Sequence, residues 1–264
     1  MQNIETPKYP IYDNGQLHIS ISQKNGKLGN IPQFNTLPGD EPLTLATGKP
    51  LTNIKGTCGK HCEECKSDCY AIRSAIFHHN SVIPAWGRNT VILRNNPEKV
   101  RSEIREFCFK NIVKYFRFHT AGELESVEQL KLYCDICEEN PDVTFYIYTK
   151  RFDLVADYFV YKNNILPENF VINLSEWHGN INDYISNTED IAKVGKFFNS
   201  LNMFAYDDHT PESESASKMT HCPAIDETGH ETGITCAQCR RCMRKGNKTA
   251  VYQHWFSETW KIIC

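Results

Sequence analysis

Apolar and polar residues alternate along Leu17-His18-Ile19-Ser20-Ile21-Ser22, the period of a half-buried strand. Around that run, Pro10, Pro32, Pro38, Pro42 and Pro50 and the turn pairs Asn14-Gly15 and Asn25-Gly26 break any longer period. Residues 1–57 therefore read as an extended arm. A helical pattern then follows a cysteine-rich stretch at 58–69 and runs to about His79. Further on, strand and helix alternate. Val113–Phe118, Val143–Tyr148 and Asn169–Leu174 are rich in β-branched and aromatic residues, and Met203–Tyr206 is a shorter fourth run. Between them, Ser126 with Gln129 three residues on reads as a capping box for a helix to about Glu139. Residues 152–162 and 189–200 read as two more helices. Asp207–Ser217 is acidic, Ser-rich and broken by Pro211, hence a loop.

Repeated β–α spacing predicts an α/β fold with a parallel sheet, open or closed into a partial TIM-like barrel, carrying Cys-rich metal-binding loops. Three segments follow: the arm 1–57, an α/β core 58–220 that opens with the first cysteine group, and a C-terminal segment 221–264 with the second. The last residues, 249–264, are apolar and aromatic enough to fold back on the core.

The chain has 264 residues, with 29 basic against 32 acidic side chains and a formal net charge of −3. That balance excludes a chain-wide electrostatic nucleic-acid binder and leaves room for a local patch. No stretch reaches the roughly 20 apolar residues of a membrane helix. The start, Met1-Gln-Asn-Ile-Glu-Thr-Pro, lacks a basic and then apolar leader, so a cytosolic location is expected. Twelve cysteines in a reducing compartment point to metal rather than disulfides.

Eight of them form two groups. The second group is Cys222, then thirteen residues, then Cys236-x2-Cys239-x2-Cys242. Thiolates at i, i+3 and i+6 on one tight loop, completed by a distant cysteine, match ferredoxin-type cubane ligation. Tetrahedral zinc more often takes two separated Cys-x2-Cys pairs and stays as the alternative metal. The first group is Cys58, Cys62, Cys65 and Cys69. Cys58-x3-Cys62-x2-Cys65 has the spacing that radical S-adenosylmethionine enzymes use for three irons of a cubane. Cys62, Cys65 and Cys69 share one face if a helix starts near Cys62. Four cysteines close a site entirely, whereas an open iron is needed to chelate a cosubstrate, and both arrangements stand. Two [4Fe–4S] clusters, with S-adenosylmethionine as a conceivable cosubstrate, are the expected cofactors. Cys134-x2-Cys137 falls inside a helical pattern and reads as core packing, and Cys108 and Cys264 read as free thiols.

Several motifs in order resemble the phage "gene product 88" family: Asn25-Gly26-Lys27-Leu28-Gly29-Asn30-Ile31-Pro32, Thr57-Cys58 to Cys65-x3-Cys69-Tyr70-Ala71, Phe118-His119-Thr120-Ala121-Gly122-Glu123, Tyr148-Thr149-Lys150, and the final Cys-x2-Cys-x2-Cys. In that pattern the anchor cysteines are Cys58, Cys65 and Cys69, with Cys62 an addition. The resemblance implies a phage or prophage origin, hence a host-cell cytosol, and cysteine-bound metal, without a reaction. The β–α order behind a Cys-rich loop also looks like radical S-adenosylmethionine proteins. Two departures from those are Glu64, where an aromatic usually stands, and the lack of a clear Gly-Gly-Glu stretch.

Reactive groups in parallel α/β folds gather at the carboxyl ends of strands. That rule selects His119, Glu123 and Lys150 as catalytic candidates. It also selects Arg151, Ser175, Glu176, His178, Asp207 and Asp208 as further pocket polar groups. Topology predicts that His119, Glu123 and Lys150 share one rim near the first cysteine group. Arg240, Arg241, Arg244, Lys245 and Lys248 form a basic run around Cys242, able to meet nucleic acid or to offset the charge of a thiolate-ligated cluster. Three functions are therefore carried forward. They are an iron–sulfur redox or radical enzyme acting on a small molecule or fed by an electron donor, a zinc- or cluster-stabilised nucleic-acid binder, and a phage accessory protein without catalysis.

Overall fold

A computed structural model describes residues 17–23, 25–45, 47–59, 65–66 and 69–253. Its strands are β1 (Ile21–Ser22), β2 (Gln33–Phe34), β3 (Pro42–Thr44), β4 (Pro50–Lys55), β5 (Tyr115–Phe118), β6 (Thr144–Thr149), β7 (Phe170–Glu176), β8 (Asn202–Asp207), β9 (Thr220–His221) and β10 (Lys248–Tyr252). The helices are α1 (Tyr70–Phe77), α2 (His79–Asn95), α3 (Pro97–Asn111), α4 (Val127–Glu139), α5 (Phe152–Val155), α6 (Asn180–Ser186), α7 (Ile191–Ser200), α8 (Glu214–Ser217) and α9 (Cys236–Cys239). A π-helical stretch, Ala156–Tyr161, continues α5.

Eight strands form one sheet in the order β1-β2-β5-β6-β7-β8-β10-β9. All its neighbours are parallel except the antiparallel β1–β2 pair. Among the described residues the sheet is open, with β1 and β9 as its two edges, and no closed barrel is formed. Residues 17–57, expected as an arm, supply β1 and β2 to this sheet and the separate β3–β4 hairpin. The loop expected at Asp207–Ser217 contains the short α8.

Strand periodicity decides which side chains go where. Phe116, Phe118, Phe145, Ile147, Phe170, Ile172 and Leu174 point to one face. There they pack with Ile92, Ile104, Leu130, Tyr133, Ile136, Val155 and Phe198 from the helices in the main core. Phe118 stacks on Tyr133 at 4.0 Å. Burying that many large apolar side chains, at roughly 1.5–3 kcal/mol each, is the main stabilising term. Cys108, Cys134 and Cys137 lie in this helix-side core. Helix α4 starts as its cap residue dictates, with Ser126 Oγ accepting from Gln129 N at 3.2 Å. The reciprocal half of the expected capping box goes elsewhere: Gln129 Oε1 accepts from Glu125 N instead. Among the described residues no helix is long and apolar enough to cross a membrane.

Candidate functional site

The other face of the sheet carries the chemistry. Arg117, then Tyr146 and Tyr148, then Ser175, then Phe204 and Tyr206 share one strand face at two-residue spacing, and His119, Lys150 and Trp177 follow just past the strand ends. They line a cavity of about 440 Å³. In register, Arg117 stands beside Tyr146 and Ser175 beside Phe204. Seven cysteines of the two expected groups line the same cavity: Cys58, Cys65 and Cys69, and Cys222, Cys236, Cys239 and Cys242. Cys62 and Cys264 lie outside the described residues.

Each set of thiols is placed by its own contacts. Cys58 N donates to Gly39 O at 2.9 Å, and the preceding Thr57 N donates to Leu37 O at 2.9 Å. Close backbone approach here requires Gly56, because a Cβ would fall 2.2 Å from Pro38 O. Cys69 caps the start of α1, where the amides of Ile72 and Ala71 face its sulfur. Cys222, just past the edge strand β9, donates its N–H to Ala250 O of β10 at 2.7 Å. The one-turn helix α9 begins with Thr235, whose backbone N–H donates to Gln238 Oε1 at 2.8 Å, and docks on the Asn25–Gly29 turn. Cys236 N donates to Lys27 O at 2.8 Å and Ala237 N to Leu28 O at 3.2 Å. Arg240 then adopts a left-handed conformation, φ 55°, that turns the chain so Cys242 also faces the cavity. Two buried amides of the sheet hold this loop. Asn173 Nδ2 donates to Cys242 O at 3.1 Å, and Asn202 Nδ2 donates to Arg244 O at 2.9 Å and Asn173 Oδ1 at 3.1 Å.

Burial raises the thiols of Cys58, Cys69 and Cys236, and that of Cys242 to about 11. Secondary causes divide the cysteines into two sets. Cys58 is pushed further by Glu123 and by Cys69 and Cys65. Cys242 is pushed by Cys222, Cys236 and Cys239, and eased by a hydrogen bond from the Tyr148 hydroxyl. On Cys236 the cations Arg117 and Lys27 act in the opposite sense to its burial. Among the described residues no three Cys, His, Asp or Glu side chains stand close enough together to hold a metal ion as they are. The fit to a metal rests instead on donor chemistry. Soft thiol donors line the cavity in two sets, and amides, a phenol and two cations lie where they would stabilise thiolate charge if a metal were bound.

His119, Glu123 and Lys150 line this cavity beside the first thiol set, on the same sheet rim. Their hydrogen bonds differ in kind. His119 is 3% exposed, with φ 53°. Its Nε2 meets the Gln129 amide nitrogen at 2.9 Å and the Tyr133 hydroxyl at 2.8 Å, and its Nδ1 meets Thr36 Oγ1 at 3.2 Å. An amide nitrogen only donates, so Nε2 accepts and the ring proton sits on Nδ1. Burial lowers this imidazole to about 4. Glu123 is 7% exposed and accepts from Thr149 Oγ1 at 2.7 Å, Leu124 N at 2.8 Å and Lys150 N at 2.9 Å, while burial raises its carboxyl. Its own N–H donates to Thr57 Oγ1 at 2.8 Å, which links it to the residue before Cys58. The Lys150 ammonium lies 5.2 Å from the Trp177 ring centroid. Gly122 joins His119 to Glu123: its φ is +84°, and a Cβ there would lie 1.9 Å from Thr36 Oγ1.

The remaining strand-end candidates are occupied with local structure. Arg151 pairs with Asp153 and donates to Leu124 O. Glu176 accepts from Ile181 N. His178 meets Asp208 at 2.9 Å, and Asp207 meets His221, next to Cys222, at 2.8 Å. Ser175 lines the cavity. In the basic run, Arg240 donates to Ala237 O and stacks on Tyr115, Arg241 donates to His221 O and Lys245 to Pro167 O, whereas Arg244 and Lys248 are exposed. Sequence reasoning missed Arg117, Asn173, Asn202 and the docking turn at Lys27. The available signal was a charged or amide side chain inside otherwise apolar strand sequences, Tyr115-Phe-Arg-Phe and Val171-Ile-Asn-Leu.

The sequence pattern of the family described as gene product 88 matches residues 17–245. No curated protein and no solved structure matches the chain.

Proposed function

The chain belongs to the gene product 88 family, and we propose that it is an iron–sulfur redox protein whose two cysteine groups each hold a [4Fe–4S] cluster at one cavity. Cys58, Cys62, Cys65 and Cys69 are the ligands of the first and Cys222, Cys236, Cys239 and Cys242 those of the second. The observation that carries this reading is the shared position of seven of these thiols on one cavity wall, in two sets whose members act on one another. Clusters of this kind supply one-electron transfer. The chain's own residues do the rest. The amides of Ile72 and Ala71 stabilise negative charge on Cys69, and the Tyr148 hydroxyl does so on Cys242. Arg117 and Lys27 offset charge at Cys236. Tyr146, Tyr148, Trp177, Phe204 and Tyr206 keep the space between the two sets largely apolar.

A finer reading, a radical enzyme that uses S-adenosylmethionine, draws support from the consecutive order β5-β6-β7-β8 with its main core on one face, the winding of a barrel segment. Calorimetry on the reduced protein tests it: absence of S-adenosylmethionine binding leaves the electron-transfer reading alone. The broader proposal is tested by an anaerobic preparation. Expected are a brown colour, thiolate-to-iron charge-transfer absorbance and acid-labile sulfide. A colourless protein that carries zinc and no sulfide contradicts it.

A further inference from the structure

The cavity has features that metal ligation leaves unused. Its volume, about 440 Å³, falls in the range of small-molecule sites, roughly 300–1,000 Å³. Its lining includes Lys150 and Trp177, just past the carboxyl ends of β6 and β7, where α/β folds bind ligands. One wall is aromatic. Trp177 and Tyr206 stack at 4.0 Å with an interplanar angle of 13°, and Phe204 meets Tyr148 edge-on at 4.8 Å. At its side lies Arg117, whose guanidinium carbon is 4.4 Å from the Tyr148 ring centroid. Among the described residues the buried Nε of Arg117 has no hydrogen-bond partner. The Tyr146 hydroxyl, on a residue 1% exposed, has the Arg117 guanidinium as its neighbour, which acts against the burial that raises it, and no partner at full hydrogen-bond geometry. Arg117 is half-buried, and a buried guanidinium Nε beside a buried phenol favours an acceptor that meets both. Guanidinium forks match carboxylate, sulfonate and phosphate oxygens.

We propose that this cavity binds an organic anion with a flat ring, the ring against Trp177, Phe204 and Tyr206 and the acidic group on Arg117 and the Tyr146 hydroxyl. The ring and acidic-group contacts use side chains of the sheet face, although the site shares its cavity with the two thiol sets and Arg117 also acts on Cys236. The competing role for Arg117 is to balance thiolate charge at Cys236 alone, where it is the strongest charge acting.

The test uses the fluorescent probe 1-anilinonaphthalene-8-sulfonate and its neutral relative N-phenyl-1-naphthylamine, which has the rings without the sulfonate. Both are titrated into the full-length protein, with iron counted in the same preparation. Expected is one saturable sulfonate site that Arg117→Met weakens at least about tenfold, while the neutral probe binds equally to both proteins. Equal binding of the neutral probe also shows that the variant keeps its cavity. Ser175→Trp, which fills the floor, should abolish binding of both probes and serves if Arg117→Met does not fold. The proposal is overturned by sulfonate affinity that ignores Arg117, by no saturable site in the wild type, or by Ser175→Trp binding as the wild type does. A protein without iron that still passes this test overturns the metal reading and leaves the anion site standing.

Discussion

His119 stands at the strand end where chemistry is expected, inside a chain of hydrogen bonds. Its Nε2 accepts from Gln129 and Tyr133, and its Nδ1–H points to Thr36, whose hydroxyl lies 3.0 Å from Thr57 Oγ1. That chain of contacts ties β2, β5, α4 and the entry to the first cysteine group together. A second proton on the ring would have to displace two donors from Nε2, and burial adds to the cost. The imidazole's pKa is 6.5 when unfolded and about 4 when folded, so the unfolded chain binds the proton more readily. Stability is therefore full above about pH 6.5 and falls as the pH drops towards 4, by about 3 kcal/mol in all at roughly 1.4 kcal/mol per pH unit. Urea denaturation between pH 7 and pH 4 should show this loss. His119→Asn, whose side chain tolerates the left-handed backbone, should lower stability at pH 7 and flatten the pH dependence. A wild-type profile with the same slope as the variant would remove His119 as its source.

At the scale of elements, the strands with clear alternation were legible, and the ones held by their neighbours were not. β5, β6, β7 and β8 carry four to seven residues with aromatic or branched side chains on one face. Their period is long enough to read, and the observed ends lie within two residues of the expected ones. β2 and β9 have two residues each. Pairing with β5 and β10 makes them strands, and no local pattern can announce that. The candidate site was legible as two cysteine groups and a strand-end rim, because thiol spacing is a local signal. Its floor was not, because a rule for carboxyl ends passes over side chains in mid-strand such as Arg117 and Asn173 and at a strand's start such as Asn202. Asn173 gives a test of that floor. Its amide serves Ile147 O and Cys242 O and accepts from Asn202. Asn173→Leu should cost about 1–3 kcal/mol in denaturant unfolding, through unpaired buried carbonyls. It should also make metal at the second group yield to a chelator before metal at the first. Unchanged stability, or simultaneous loss from both groups, would deny the sheet a part in seating Cys242.

In the molecule as a whole, one sheet separates two environments. The helix side is packed with apolar residues and holds Cys108, Cys134 and Cys137 as small buried groups, with burial lifting the Cys108 thiol to about 12. The opposite side gathers seven cysteines, five cationic side chains and an aromatic wall around one cavity. N-terminal residues 25–39 and C-terminal residues 222–242 meet there, so both chain ends of the family match contribute to the site. The central claim is that the two cysteine groups hold two separate iron–sulfur centres, and counting iron on group-specific variants tests it most directly. The wild type, reconstituted without oxygen, should carry about eight irons per chain, as two four-iron clusters require. Replacing Cys58, Cys65 and Cys69 by Ala should leave about four, and so should replacing Cys236, Cys239 and Cys242, while Cys134→Ala with Cys137→Ala should leave the full count. Loss of all iron from either group's variant, or iron that depends on Cys134 and Cys137, would contradict two independent centres.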